Sequence, residues 1–103
     1  MLNQVVIVGR ITKDLEKQVE KDTDNKIVYM TLAVPRSFKN ENGEYETDFI
    51  GVRLYKGVAE NAFEYCNKGD LVGVKGRIQN DNGKLTIIAE KITFLSSKRT
   101  DDE

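Results

Sequence analysis

The 103-residue chain contains no histidine, no tryptophan, one cysteine and one proline. Each shortage excludes something. Without histidine there is no Ser-His-Asp or Cys-His couple, and a lone Cys66 leaves neither an internal disulfide nor a Cys/His zinc site. Apolar runs extend only a few residues, and the N-terminus lacks the basic-then-apolar plan of a secretory signal, so the expected location is the cytoplasm, away from any membrane. Charge of one sign is not in excess either: 16 Lys plus Arg face 17 Asp plus Glu, for a net charge of −1. A polyanion binder usually shows a basic surplus. Here the distribution softens the objection, because Asp101, Asp102 and Glu103 stand together at the acidic end and leave the preceding body slightly basic. The length suits one domain with one modest core, placed at residues 1–95 and followed by an acidic tail over 96–103.

What is present is mostly β-strand pattern. Asn3–Ile11 is a β-branched run interrupted by Gly9. Glu16–Lys21 reads either as a short exposed strand or as a helical turn, with the edge strand preferred, and Asp22–Asn25 as a turn. Lys26–Pro35 alternates cleanly, with Val28, Met30, Leu32 and Val34 on one face, and Pro35 is expected to end its hydrogen bonding. Arg36–Glu46, centred on Asn42-Gly43, reads as a long hairpin loop that nevertheless carries Phe38 and Tyr45. Thr47–Lys56 is a further strand. Val58, Ala59, Ala62, Phe63 and Cys66 then recur at helical spacing on an inward stripe, ahead of a Lys68-Gly69 stop. Two last strands, Asp70–Gln79 and Lys84–Leu95, flank the turn signal Asn80-Asp81-Asn82-Gly83. Five strands with a single helix between the third and fourth, plus a small early edge strand, is the order of the OB-fold, an all-β Greek-key barrel that commonly binds oligonucleotides.

The candidate site comes from alternation along Thr47–Lys56. Asp48, Ile50, Val52, Leu54 and Lys56 fall on the core side, while Thr47, Phe49, Gly51, Arg53 and Tyr55 fall on the other. Outward rings with a guanidinium between them form a platform on which single-stranded bases can stack while cations meet the phosphates. The same rings would also suit packing under the neighbouring loop or in a subunit interface. Along Asp70–Gln79, Val72, Val74 and Ile78 are expected inside, with Gly73, Lys75 and Arg77 outside; Arg36, Phe38 and Lys39 repeat the aromatic-plus-basic theme. The DNA-contact set read from the residues is therefore Arg36, Phe38, Lys39, Phe49, Arg53, Tyr55, Lys56, Lys75 and Arg77. No catalytic residue, metal or cofactor is expected: Glu44/Glu46 and Asp22/Asp24 read as solvated charge, and Cys66 as buried packing.

In four ordered blocks the chain resembles the bacterial-type single-stranded DNA-binding proteins: MLNQVVIVGRITKD, YMTLAV, TDFIGVRLYKGVAE and NKGDLVGVKGRIQ. The resemblance implies a protein that coats single-stranded DNA without sequence preference in replication, recombination and repair. It places family DNA-contacting tryptophan positions on Phe38 and Phe49, and an aromatic stacking position on Tyr55. It also implies a homo-oligomer, a tetramer ahead of a dimer, with Asn3–Val8 as a candidate interface. Three departures stand out. The last hairpin crosses at Asn80–Gly83 without an aromatic, the chain stops at Asp101-Asp102-Glu103 rather than at an acidic Pro-Phe tip, and Leu15 follows Asp14 where relatives often carry proline. These point to a short or divergent member of bacterial, phage or mobile-element origin, or to a chain trimmed of its tail, and tail-mediated recruitment of repair proteins is not expected of it. The competing reading is an OB-fold protein-interaction subunit of a replication or primosome assembly that binds DNA weakly. An RNA-binding OB domain is a third.

Overall fold

The computed structural model describes residues 1–19 and 26–97. Six strands and one helix follow in chain order: β1 (Val5–Ile11), β2 (Glu16–Val19), β3 (Lys26–Lys39), β4 (Tyr45–Tyr55), α1 (Lys56–Tyr65), β5 (Leu71–Asp81) and β6 (Lys84–Ser96). The sheet runs β1-β5-β6-β4-β3, and β1 returns to β3 through Arg10↔Ala33 and Ile11↔Leu32, closing a five-stranded barrel. Every pairing is antiparallel except β4 with β6, which run parallel at Val52↔Ile87 and Arg53↔Ile88. The short β2 hangs on β3 outside the closed ring, as the early edge strand was expected to do. The turn predicted at Asp22–Asn25 and the tail beyond residue 97 lie outside the described residues. Among the described residues no helix is long and apolar enough to cross a membrane.

The barrel closes because its inward positions are the β-branched and aliphatic ones. Ile11, Val28, Met30, Leu32, Val52, Leu54, Val72 and Val74 are fully buried. Burial of each large side chain contributes about 1.5–3 kcal/mol. Two glycines make the closure possible. A Cβ at Gly9 would lie 2.7 Å from the Ala33 carbonyl oxygen, and one at Gly76 would lie 2.1 Å from that of Ile88. The helix stoppers one end: Ala59, Ala62 and Cys66 face the core, and the chain then returns to β1 through Gly69 N–H donating to Ile11 O at 2.7 Å. Phe63, expected on that inward stripe, is exposed instead, because α1 ends at Tyr65 and its buried stripe is carried by the two alanines.

Three other expectations change. Pro35 does not end its strand, since it faces Thr47 in register and pairing resumes at Lys39↔Tyr45 after an irregularity between Pro35 and Lys39. Pairing resumes beyond the irregularity, so Arg36–Glu46, expected as a loop, is an extended two-stranded arm with a short turn at its tip. Ile78 has the inward parity of Val72 and Val74 but is 40% exposed, because β5 and β6 continue as a hairpin past the barrel wall. Lys56 has the core parity of Leu54 yet is exposed: its φ of 52° breaks the strand and starts the helix.

Candidate nucleic-acid interface

Strand β4 carries the face that alternation singled out. Val52 and Leu54 are buried, whereas Phe49 is 69% exposed and Gly51 is open. Arg53 and Tyr55 are half-buried on the same side. Opposite them on β3 stand Ala33, Thr31, Tyr29 and Ile27, in register with Phe49, Gly51, Arg53 and Tyr55. The absent side chain at Gly51, where a Cβ would meet nothing within 4 Å, opens a groove between β3, β4 and β6. Its volume is about 510 Å3, with Tyr29 and Arg53 at one side, Lys84 and Leu85 at another, and Lys13 at the rim. Sequence reading had not marked Lys13, Tyr29, Lys84 or Leu85. Alternation along Lys26–Pro35 does put Tyr29 on the outward side with Thr31 and Ala33; Lys84 and Leu85 converge on it only through the parallel β4–β6 pairing, and Lys13 through the return of β1 to β3, where Thr12 N–H donates to Thr31 O at 2.9 Å.

Arg53 is the most constrained cation. Its guanidinium donates to Asp81 at 3.1 Å and lies 5.9 Å from the centre of the Tyr29 ring. The neighbouring Tyr55 phenol is the largest influence holding Arg53 above its ordinary range; Tyr29 and Asp81 add to it and partial burial opposes it. A chain of polar contacts continues along β5. Arg77 donates to Gln79 at 2.7 Å, and Gln79 donates to Asp81 at 3.0 Å. Because Arg77↔Ile88 and Arg53↔Ile88 are both registered pairs, this chain spans the strand between β4 and β5 on its outer side. Ile88, which occupies that row, is only 5% exposed. Arg77 also approaches Glu90 at 3.7 Å.

Arg36 is engaged too. It forms a fork with Asp48, at 3.1 Å from Nε and 3.0 Å from Nη2, and donates to Glu46 at 2.8 Å. The Asp48 carboxyl is held below its ordinary 3.8, first by the hydrogen bond from Arg36 and also by its charge, with desolvation opposing. The structure thus places Arg36 in a clamp on the arm. Lys39, Lys56 and Lys75 have no ion-pair partner among the described residues. Phe38 is 68% exposed on the arm. It stands one residue before Lys39, so strand alternation turns it away from the Lys39↔Tyr45 pair. Lys75 sits two residues from Arg77, between Val6 of β1 and Lys91 of β6. The fold therefore gathers Phe49, Arg53 and Tyr55 into one surface with Arg77 and Lys75 on its β5 flank, and sets Arg36, Phe38 and Lys39 on the arm. Lys56 lies at the helix start.

Elsewhere, Cys66 is buried, and burial, then the nearby Asp70 charge, raises its thiol above 9.0. The described residues hold no group of three or more His, Cys, Asp or Glu side chains arranged to share a metal. Of the acidic pairs considered earlier, Glu46 is bound to Arg36, and Asp22/Asp24 lie outside the described residues.

Residues 2–95 match the model of the single-strand binding protein family. The chain is 41% identical over 107 residues to single-stranded DNA-binding protein B of Bacillus subtilis (strain 168), covering 95% of this chain and 94% of that protein. It is 40% identical over 111 residues to single-stranded DNA-binding protein 1 of Staphylococcus aureus (strain MSSA476), covering 99% of this chain and 70% of that one. Among solved structures, the wild-type single-stranded DNA binding protein from Thermus aquaticus superposes with a TM-score of 0.76 at 28% identity, over 92% of this chain. The chain spans about half the length of that Thermus protein, 50%.

Proposed function

The chain belongs to the single-strand binding protein family, and we propose that it coats single-stranded DNA without sequence preference, as a non-enzymatic cytoplasmic protein serving replication, recombination and repair. The observation that carries this reading is the outward column of β4, in which exposed Phe49 and half-buried Tyr55 bracket Gly51 and Arg53 beside an open groove. Bases stack on the rings, at about 1–3 kcal/mol each, and every base offers a π-face, so the contact tolerates any sequence. Phosphates follow the cations. The free ammonium groups of Lys39, Lys56 and Lys75 release counterions, and Arg53 and Arg77 line the path while tethered to carboxylates. No net basic charge is needed, because the positive groups are local.

Self-association is the second part of the proposal. Val6 and Val8 of β1 are exposed, and Leu95 approaches Gly73 on the same outer face. β1 is paired with β5 along Val5–Arg10, but with β3 only at Arg10 and Ile11. An apolar patch beside a partly unpaired strand supports a homo-oligomer built through β1, a dimer or a tetramer of such barrels.

The test is a fluorescence titration with oligo-dT. Phe49→Ala and Tyr55→Ala are each expected to weaken binding by about 1–3 kcal/mol while leaving thermal unfolding cooperative. Wild-type affinity in a folded double variant would overturn the assignment.

A further inference from the structure

The arm has two unlike sides. Arg36, Glu46, Asp48 and Asn40 are bound to one another, with Asn40 Nδ2 donating to Glu46 at 3.2 Å. Since Glu46 and Asp48 both reach Arg36, β4 keeps regular alternation out to its start, and the irregularity falls wholly on β3. Tyr45 therefore stands on the opposite side, in one column with Thr47, Phe49, Gly51, Arg53 and Tyr55. Four residues at about 3.3 Å each put Tyr45 roughly 13 Å beyond Phe49. Its ring is 58% exposed. Lys39, its registered partner, holds Nζ 5.8 Å from the ring centre.

The turn that carries the ring is also held in place. Asn40 Oδ1 accepts from the backbone N–H of Asn42 at 2.9 Å and of Glu44 at 3.0 Å, and Gly43, with φ of 78°, closes the tip. With Arg36 clamping the strands below, little side-chain or loop ordering is left to be done on binding.

We infer that Tyr45, with Lys39 beside it, is a further base-stacking position, at the outer end of the β4 column on the arm. The inference rests on the DNA-coating reading above and adds to it a fourth ring position outside the set read from the sequence. Lys39 supplies the phosphate charge at that end, and its approach to the ring keeps cation and π-face together.

A length series of oligo-dT tests it. Tyr45→Ala is expected to match wild type on the shortest oligomers that fill the barrel face, and to bind longer ones roughly 5- to 150-fold more weakly. Tyr45→Phe, which keeps the ring, is expected to behave as wild type throughout. Equal affinities of Tyr45→Ala and wild type at every length, with Phe49→Ala weakened, would overturn the Tyr45 assignment alone. A wild-type protein that binds no oligo-dT would overturn the underlying reading with it.

Discussion

Arg53 on β4 is held by Asp81 at the end of β5, the two meeting at 3.1 Å across the strand that separates them. An anion occupying the groove must share Arg53 with that carboxylate. Asp81→Asn is therefore expected to tighten oligo-dT binding by about two- to fivefold at low salt, the range of a partly exposed ion pair. Gln79 keeps a hydrogen-bonding partner in the amide, so the polar chain persists. Weaker binding in this variant would instead make Asp81 a positioning group for Arg53. Titration at two salt concentrations separates the cases.

The arginines and lysines of the site should differ in how they respond to salt. Arg36, Arg53 and Arg77 are all paired with carboxylates, whereas Lys39 and Lys75 are not. A lysine that meets a phosphate contributes about 0.7 to the slope of log affinity against log salt on a single strand. Lys39→Gln and Lys75→Gln are each expected to flatten the slope by about that amount. Arg36→Gln is expected to lower affinity with little change of slope, since its charge is already compensated by Asp48 and Glu46.

Where sequence and structure agree, and where they part, has a physical pattern. The parity of β4 was readable because Val52 and Leu54 must be buried, which fixes Phe49, Arg53 and Tyr55 outward. The helix is readable from periodicity, and the turn at Asn82-Gly83 from its residues, whose φ of 56° and 86° only such residues adopt readily, whereas the charged early segment suits a strand or a helical turn equally until β3 pairs with it. Arg36–Glu46 reads as a loop because its polarity and the proline before it look like one. Nothing local announces that Arg36 will find Asp48 twelve positions later and hold two solvent-exposed strands together. Ile78 was placed inside by the same alternation that succeeded at Val74, since the sequence does not mark where the barrel wall ends and the hairpin goes on. The groove itself depends on the parallel contact of β4 with β6, a long-range pairing that no short motif encodes.

The arm clamp should be sensitive to acid. The folded carboxyl of Asp48 titrates below its ordinary 3.8, so its contribution to holding the arm is complete above that value and is lost as pH falls through the depressed one. Amide hydrogen exchange in residues 36–46 is expected to accelerate below about pH 4 while β1 and β5 remain protected. Asp48→Asn should show the faster exchange already at neutral pH. An arm equally protected in that variant would mean the turn at Asn40–Glu44 suffices to hold it.

Two glycines provide the sharpest contrast. Gly51 lies in extended backbone with open space where a Cβ would go, so Gly51→Val should fold, and a β-branched residue there is expected to leave stability unchanged or slightly raised. Its side chain would occupy the groove between Phe49 and Arg53, and oligo-dT affinity should fall at least tenfold. Gly76→Ala presents the reverse case. A methyl group 2.1 Å from the Ile88 carbonyl oxygen and 3.2 Å from the Ala89 Cα cannot be accommodated without moving backbone in the closed barrel. Overpacking of that kind costs about 1–3 kcal/mol or more. Thermal melts should therefore separate the pair cleanly, with Gly51→Val at the wild-type midpoint and Gly76→Ala several degrees lower. A Gly51→Val protein that melts as wild type and still binds oligo-dT at full strength would remove the groove from the DNA path, leaving the rings to bind alone.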